Sequence, residues 1–140
     1  MFSKLLMGWC LMALCVIIHS VGLIAAFRKM RVRAEPAMGT FWPATWLLIR
    51  TAGWTIVLHL LQIAVWAFYY AWTKAMPDLT SAFYFSAVTY TTTGYGDLVL
   101  PEEWRLVGGI EALTGILMCG LSTGLFFTIF TKVFGINDRA

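Results

Sequence analysis

The sequence predicts an all-α membrane protein of three transmembrane helices, with a short re-entrant helix and an extended turn between the second and third. Three observations carry that expectation. Hydrophobic residues make up 60% of the 140 and charged residues only 12%, more apolar surface than a soluble domain of this size can bury. Those residues are gathered into long runs rather than spread at amphipathic spacing, as membrane spans require. Between the second and third runs lies a stretch, residues 77–100, that is too polar and too rich in Gly and Thr to span.

The first run covers residues 5–27 and holds no acidic or basic side chain except His19. At about 1.5 Å per residue it reaches roughly 35 Å, enough to cross a bilayer. It is longer than the apolar region of a signal peptide and no small-x-small cleavage site follows it, so a retained helix is expected. A basic linker, RKMRVRAEPAMGTFWPA, comes next, broken by Pro36, Gly39 and Pro43. The second run extends over about 46–72 and contains Arg50, His59 and Gln62; the third covers about 102–134 and contains Glu111. This divides the chain into an N-terminal helix with its linker (1–45), a body of two spans and the intervening segment (46–134), and a short tail (135–140).

Charge sets the expected orientation, because Lys and Arg collect on the cytoplasmic side of spans. With the linker inside, the cytoplasmic set is Arg28, Lys29, Arg31, Arg33, Arg50, Lys132 and Arg139, against Lys4, Lys74 and Arg105 outside. An outside N-terminus, a cytoplasmic C-terminus and an outward-facing 77–100 segment follow, in a multi-pass protein of the plasma (cell inner) membrane. Aromatic residues bunch at the span ends, with Phe41, Trp42 and Trp46 at the inner interface and Phe68, Tyr69, Tyr70, Trp72 and Trp104 at the outer one. Cys10, Cys15 and Cys119 all lie within apolar runs and read as small hydrophobes, with no disulfide framework or metal site.

The intervening segment reads as a short helix over about 80–91, capped by Asp78, Thr80 or Ser81, followed by the extended turn Thr91-Thr92-Thr93-Gly94-Tyr95-Gly96-Asp97. Irregular backbone at membrane depth is tolerated only where protein buries it or where it lines water. Consecutive carbonyls aimed at one axis can replace the water shell of a potassium ion, and Gly94 and Gly96 adopt the required positive φ without steric penalty. The expected ligands are the carbonyls of Thr92, Thr93, Gly94 and Tyr95 with the Thr92 hydroxyl. No cofactor is expected beyond the permeant ion itself.

Thr-Thr-x-Gly-Tyr-Gly-Asp after a short helix, between two spans, resembles the pore domain of potassium channels, the standing example of selectivity by backbone carbonyls. The similarity covers roughly residues 46–134 and leaves the first helix outside it. It implies a pore helix and selectivity filter formed by residues 92–96, and a homotetramer in which four copies surround one axis. Two positions depart from the commonest pattern. Thr93 stands where Val or Ile is usual, adding a hydroxyl expected to bond behind the filter. Val88 stands where some prokaryotic members place a glutamate that braces the aspartate, here Asp97; Tyr84 aligns with a Trp that bonds it in other relatives and is the remaining candidate partner.

Alignment with related inner helices puts Gly115 at a hinge position and places Ile116, Gly120, Thr123, Gly124 and Phe127 on a cavity-lining face, with Thr131 near the inner mouth. Hinge and close helix packing both remain open for these glycines, Gly120 and Gly124 also forming a small-xxx-small pair. Phe127 is the expected hydrophobic constriction, with Phe126 and Phe130 as competitors. Glu111, one turn before Gly115, is expected to brace the pore helix from behind, since an ionisable group inside a membrane faces the bundle interior. His59 and Gln62, one turn apart, are expected to hydrogen-bond within the bundle; buried neutral histidine is the simpler expectation for His19 and His59 than pH sensing.

Glu102 and Glu103 follow Pro101 and suit a helix N-terminus, with a minor role in drawing cations to the mouth. No span carries Arg or Lys at every third position, so no voltage-sensor helix is expected. Six residues follow Phe134, so no soluble ligand-binding domain is expected within the chain. The scattered net charge of +3 points to membrane lipid rather than nucleic acid, and no nucleophile–base pair or P-loop supports an enzyme. A weakly selective cation pore and a non-conducting scaffold are the alternatives.

Overall fold

The computed structural model describes residues 2–34 and 40–134 of the chain. Helix α1 is Phe2–Ala34, α2 is Phe41–Trp72, α3 is Leu79–Tyr90 and α4 is Arg105–Val133, the last preceded by one 3₁₀ turn, Glu102–Trp104. The windows Phe2–Arg28, Phe41–Trp72 and Glu102–Val133 are long and apolar enough to cross a membrane, so the protein is an all-helical, multi-pass membrane protein. The 12 residues of α3 extend only about 18 Å, short of the ~30 Å hydrocarbon core.

Two boundaries differ from the sequence reading by five residues or more. Residues 28–34 continue α1 rather than opening a linker, because neither Gly nor Pro interrupts the backbone before Pro36. Helix α2 starts at Phe41, five residues before the expected 46, with Pro43 inside its first turn; there a missing N–H breaks no intrahelical bond. Pro36, Gly39 and Arg139 lie outside the described residues.

Contacts fix the topology. At one end, Gly8 of α1 lies against Ile110 and Val107 of α4, and Lys4 Nζ sits 3.6 Å from a Glu103 carboxylate oxygen and 4.0 Å above the Trp104 ring. At the other, Ala26, Ala44, Leu47, Ile129 and Val133 form a buried cluster. Helices α1 and α4 therefore run parallel, with α2 antiparallel to both, and segment 73–101 begins and ends on the same side. Close approach of α1 to α2 depends on Gly22: a Cβ there would run into Leu58, and the Trp54 indole donates to the Gly22 carbonyl at 3.0 Å. Small residues are what allow this in membranes, where apolar area alone gives helices no reason to associate.

The main core lies at the level of α3. Trp66, Tyr70, Phe85, Tyr90, Val107 and Met118 are all buried there, with Cys15 of α1 among them. Helix α3 is thus packed into the groove between α2 and α4, and its C-terminal end points to the middle of the bundle.

Candidate functional site

Helix α3 begins at an Asp78 cap whose carboxylate accepts from the Ser81 amide at 2.8 Å and the Ser81 hydroxyl at 2.7 Å. These bonds, the amide first, hold the Asp78 carboxyl below the usual range. Of the three caps open to sequence reasoning, the one with a carboxylate is used, since two donors and the positive helix end all favour an anion.

The other end of α3 is closed by a paired motif. The Thr92 amide bonds to the Thr89 carbonyl at 2.9 Å and the Thr93 amide to the Val88 carbonyl at 3.0 Å, the two bonds that define a Schellman termination. Such a motif requires a left-handed residue at the turn, usually glycine. Here it is Thr92, with φ of 60°, a conformation that costs a β-branched residue on the order of 1–3 kcal/mol. The left-handed conformation then recurs at Gly94 (φ 56°) and Gly96 (φ 78°), while Thr93 and Tyr95 keep negative φ. Handedness therefore alternates residue by residue over 92–96. The sequence marks two of the three left-handed positions by glycine; the third is disguised as threonine.

Residues 91–99 are all exposed in the protomer, Tyr95 at 72%. Behind them lies a pocket of about 180 Å³ bordered by α3 at Tyr84, Phe85 and Val88 and by the turn at Gly94, Gly96 and Asp97. Side-chain contacts add to the backbone bonds between turn and helix. The Tyr84 hydroxyl donates to Asp97 Oδ2 at 2.7 Å, and this bond, before any other cause, lowers the Asp97 carboxyl below its usual range. The Thr93 and Thr91 hydroxyls meet at 3.0 Å, and Thr91 in turn donates to the Ala87 carbonyl at 2.7 Å.

Glu111 is fully buried at the junction of three helices. Its Oε2 accepts from the Tyr70 hydroxyl of α2 at 2.8 Å, and its Oε1 meets the Ser86 hydroxyl of α3 at 2.5 Å. Ser86 also lies 3.0 Å from the Ile63 carbonyl. Tyr70 and Ser86 were not marked as partners by the sequence; a serine and a tyrosine in apolar helices carry no signal until the helices are placed together. His59 and Gln62 do bond within the bundle, both of them to Tyr90.

On α4 the structure separates the glycines. Gly115 is buried, and a Cβ there would overlap the Tyr90 carbonyl, so close packing on the end of α3 is what requires it. No atom lies within 4 Å of where a Cβ would sit at Gly120 or Gly124, so neither mediates packing within the chain. With Ile116, Thr123 and Phe127, 65% exposed, they form an uncovered face. Thr131 does not join that face: it is buried, its hydroxyl bonded to the Thr128 carbonyl at 3.1 Å. No group of three or more His, Cys, Asp or Glu side chains able to hold a metal occurs among the described residues.

The site is thus a turn of alternating handedness at the end of a capped 12-residue helix, set between two helices long and apolar enough to cross a membrane. The family model described as "Ion channel" matches residues 56–132, more than half of the chain, and the chain belongs to this family, the potassium-channel pore-domain family. Among curated proteins it is similar to the potassium voltage-gated channel protein Shal of Drosophila melanogaster, 38% identical over 65 residues, or 45% of this chain and 11% of that one. It is 32% identical, over 45% of this chain and 10% of the relative, to the A-type voltage-gated potassium channel KCND3 of Homo sapiens. The same figures hold for the protein of Rattus norvegicus. The chain spans about a tenth of the length of these curated relatives. No solved structure gives a significant match.

Proposed function

We propose that this chain is one of four identical subunits around a potassium-selective pore, with residues 92–96 as its filter. The observation that carries the reading is the alternation of handedness at Thr92, Gly94 and Gly96. In an ordinary strand successive carbonyls point to opposite sides; reversing every second residue turns them to the same side. The carbonyls of Thr92, Thr93, Gly94 and Tyr95, with the Thr92 hydroxyl, then make a ladder of oxygens that substitutes for the hydration shell of potassium.

One protomer leaves this ladder exposed, and bare peptide groups at membrane depth are not tolerated against lipid. Four copies around an axis enclose it, with α3 as a re-entrant pore helix whose C-terminal dipole favours a cation. The uncovered face of α4 then lines the cavity at Ile116, Gly120, Thr123, Gly124 and Phe127. In this reading the basic residues at the far end of the bundle mark the cytoplasmic side, since Lys and Arg collect there; the filter then lies at the outer face, and the plasma membrane is the one we assign. Similarity to voltage-gated potassium channels supports potassium as the ion. The test is reconstitution in liposomes: potassium flux well above sodium flux is expected, equal fluxes would indicate a weakly selective pore, and none a scaffold.

Two further outcomes follow. Because the Asp97 carboxyl is held below its usual range by Tyr84, their bond stabilises the outer mouth above that range and is lost as pH falls through the lowered value. Tyr84→Phe removes the donor, so the external-acid midpoint of potassium flux rises toward the ordinary aspartate value. Superimposable acid profiles of variant and parent would refute the coupling. In the cavity, four Phe127 rings form a constriction that gates by dewetting, so Phe127→Ala raises open probability several-fold, roughly; unchanged single-channel gating would remove Phe127 from that role.

A further inference from the structure

Five buried or half-buried polar side chains near the base of the proposed filter are joined end to end. Gln62 Nε2 lies 2.8 Å from His19 Nδ1; His19 Nε2 lies 3.0 Å from the Ser122 hydroxyl; Ser122 lies 3.0 Å from His59 Nε2. His59 Nδ1 lies 3.1 Å from the Tyr90 hydroxyl, which donates to Gln62 Oε1 at 2.7 Å and closes the ring. The members come from all four helices: His19 from α1, His59 and Gln62 from α2, Tyr90 from α3 and Ser122 from α4. His19, Gln62 and Tyr90 are at most 1% exposed.

The direction of the protons is determined. Gln62 Nε2 also faces the Leu58 carbonyl at 3.2 Å, which only a donor can do, so the amide cannot be flipped. Its second proton goes to His19 Nδ1, which must accept. His19 therefore carries its proton on Nε2 and donates to Ser122. Ser122 has one proton and gives it to His59 Nε2, leaving His59 to carry its own on Nδ1 and donate to Tyr90. Every proton in the ring is used once, each acceptor receives one, and the two histidines, 5.1 Å apart at their centroids, are opposite tautomers.

From this we infer that the ring is a positioning device through which α1 holds the filter: His19, outside the family-like part of the chain, fixes Tyr90, the last residue of α3, two positions before Thr92. Tyr90 is also the residue whose carbonyl packs on Gly115 of α4, so a displacement of its ring moves the point where α3, α4 and the filter meet. A closed one-way ring tolerates no partial occupancy, because removing one member leaves a buried donor and a buried acceptor unpaired at its neighbours. The inference rests on the channel reading above.

The test uses the full-length protein in liposomes, comparing His19→Ala, which breaks the ring, with His19→Gln, whose amide oxygen and nitrogen reproduce one acceptor and one donor. The steady potassium flux of His19→Ala should fall about fivefold to tenfold, with faster fading of flux, and His19→Gln should recover most of it. Nitrogen-15 spectra of the parent should show one histidine protonated on Nε2 and the other on Nδ1, the latter signal changing in His19→Ala although residue 59 is untouched. Potassium-selective flux equal in all three proteins, or two histidines in the same tautomer, overturns the positioning role alone. Absence of selective flux in the parent overturns the channel reading, and this inference with it.

Discussion

Replacement of Glu111 with alanine is expected to be the most destabilising single change in the bundle. The carboxylate is fully buried and accepts from hydroxyls on two other helices. Truncation orphans the Tyr70 hydroxyl, at roughly 1–3 kcal/mol, leaves Ser86 with the Ile63 carbonyl alone, and opens a void between α2, α3 and α4. Glu111→Gln is the milder variant: its oxygen still accepts from one hydroxyl while its amide donates to the other, so about 1 kcal/mol is expected. The measurement is thermal unfolding of the purified assembly, together with the time course of potassium flux. Alanine should lower the melting temperature sharply and shorten the conducting phase, glutamine less so. Parental stability and parental flux in Glu111→Ala would show that the buried carboxylate holds nothing in place.

The second large effect is on conduction. Gly94→Ala forces an L side chain into a φ of 56°, at about 1–2 kcal/mol per copy. No atom lies within 4 Å of the new Cβ in the protomer, so the penalty comes from the backbone rather than from crowding within the chain. Taken four times around the proposed axis, and at about 1.4 kcal/mol per factor of ten, it depletes the conducting arrangement by about a thousandfold or more. Potassium flux from liposomes should therefore all but vanish. Gly53→Ala supplies the control: it too meets nothing within 4 Å but lies in the middle of α2, where alanine is favoured by about 1 kcal/mol. Flux should persist in that variant. Persistence in both would mean that the left-handed geometry at Gly94 is not needed.

The architecture was legible because each piece had its own local signal. Apolar run length marked the three spanning helices, and α3 was placed within one residue by the polar stretch around Asp78 and the turn that follows Tyr90. The end of α1 is poorly marked in the sequence: a basic stretch resembles a linker, yet Lys and Arg are good helix formers, and the first helix breaker in it is Pro36. In the site, glycines announced φ reversal at 94 and 96, but Thr92 did not, because its left-handed turn is imposed by the termination of α3. Glu111 was conspicuous as a carboxylate in an apolar run. Its partners Tyr70 and Ser86, and the ring joining His19 to Tyr90, were invisible because they depend on which faces of four helices meet. A single sequence does not carry that register.

The central claim is that residues 92–96 of four copies coordinate potassium through their backbone oxygens. Anomalous diffraction from crystals of the full-length protein grown in potassium, and again after exchange for rubidium, tests it most directly. Peaks are expected on a fourfold axis, one above another, each between carbonyl layers contributed by Thr92, Thr93, Gly94 and Tyr95. Density off these layers, an assembly without a fourfold axis, or an empty ladder in saturating potassium would contradict it.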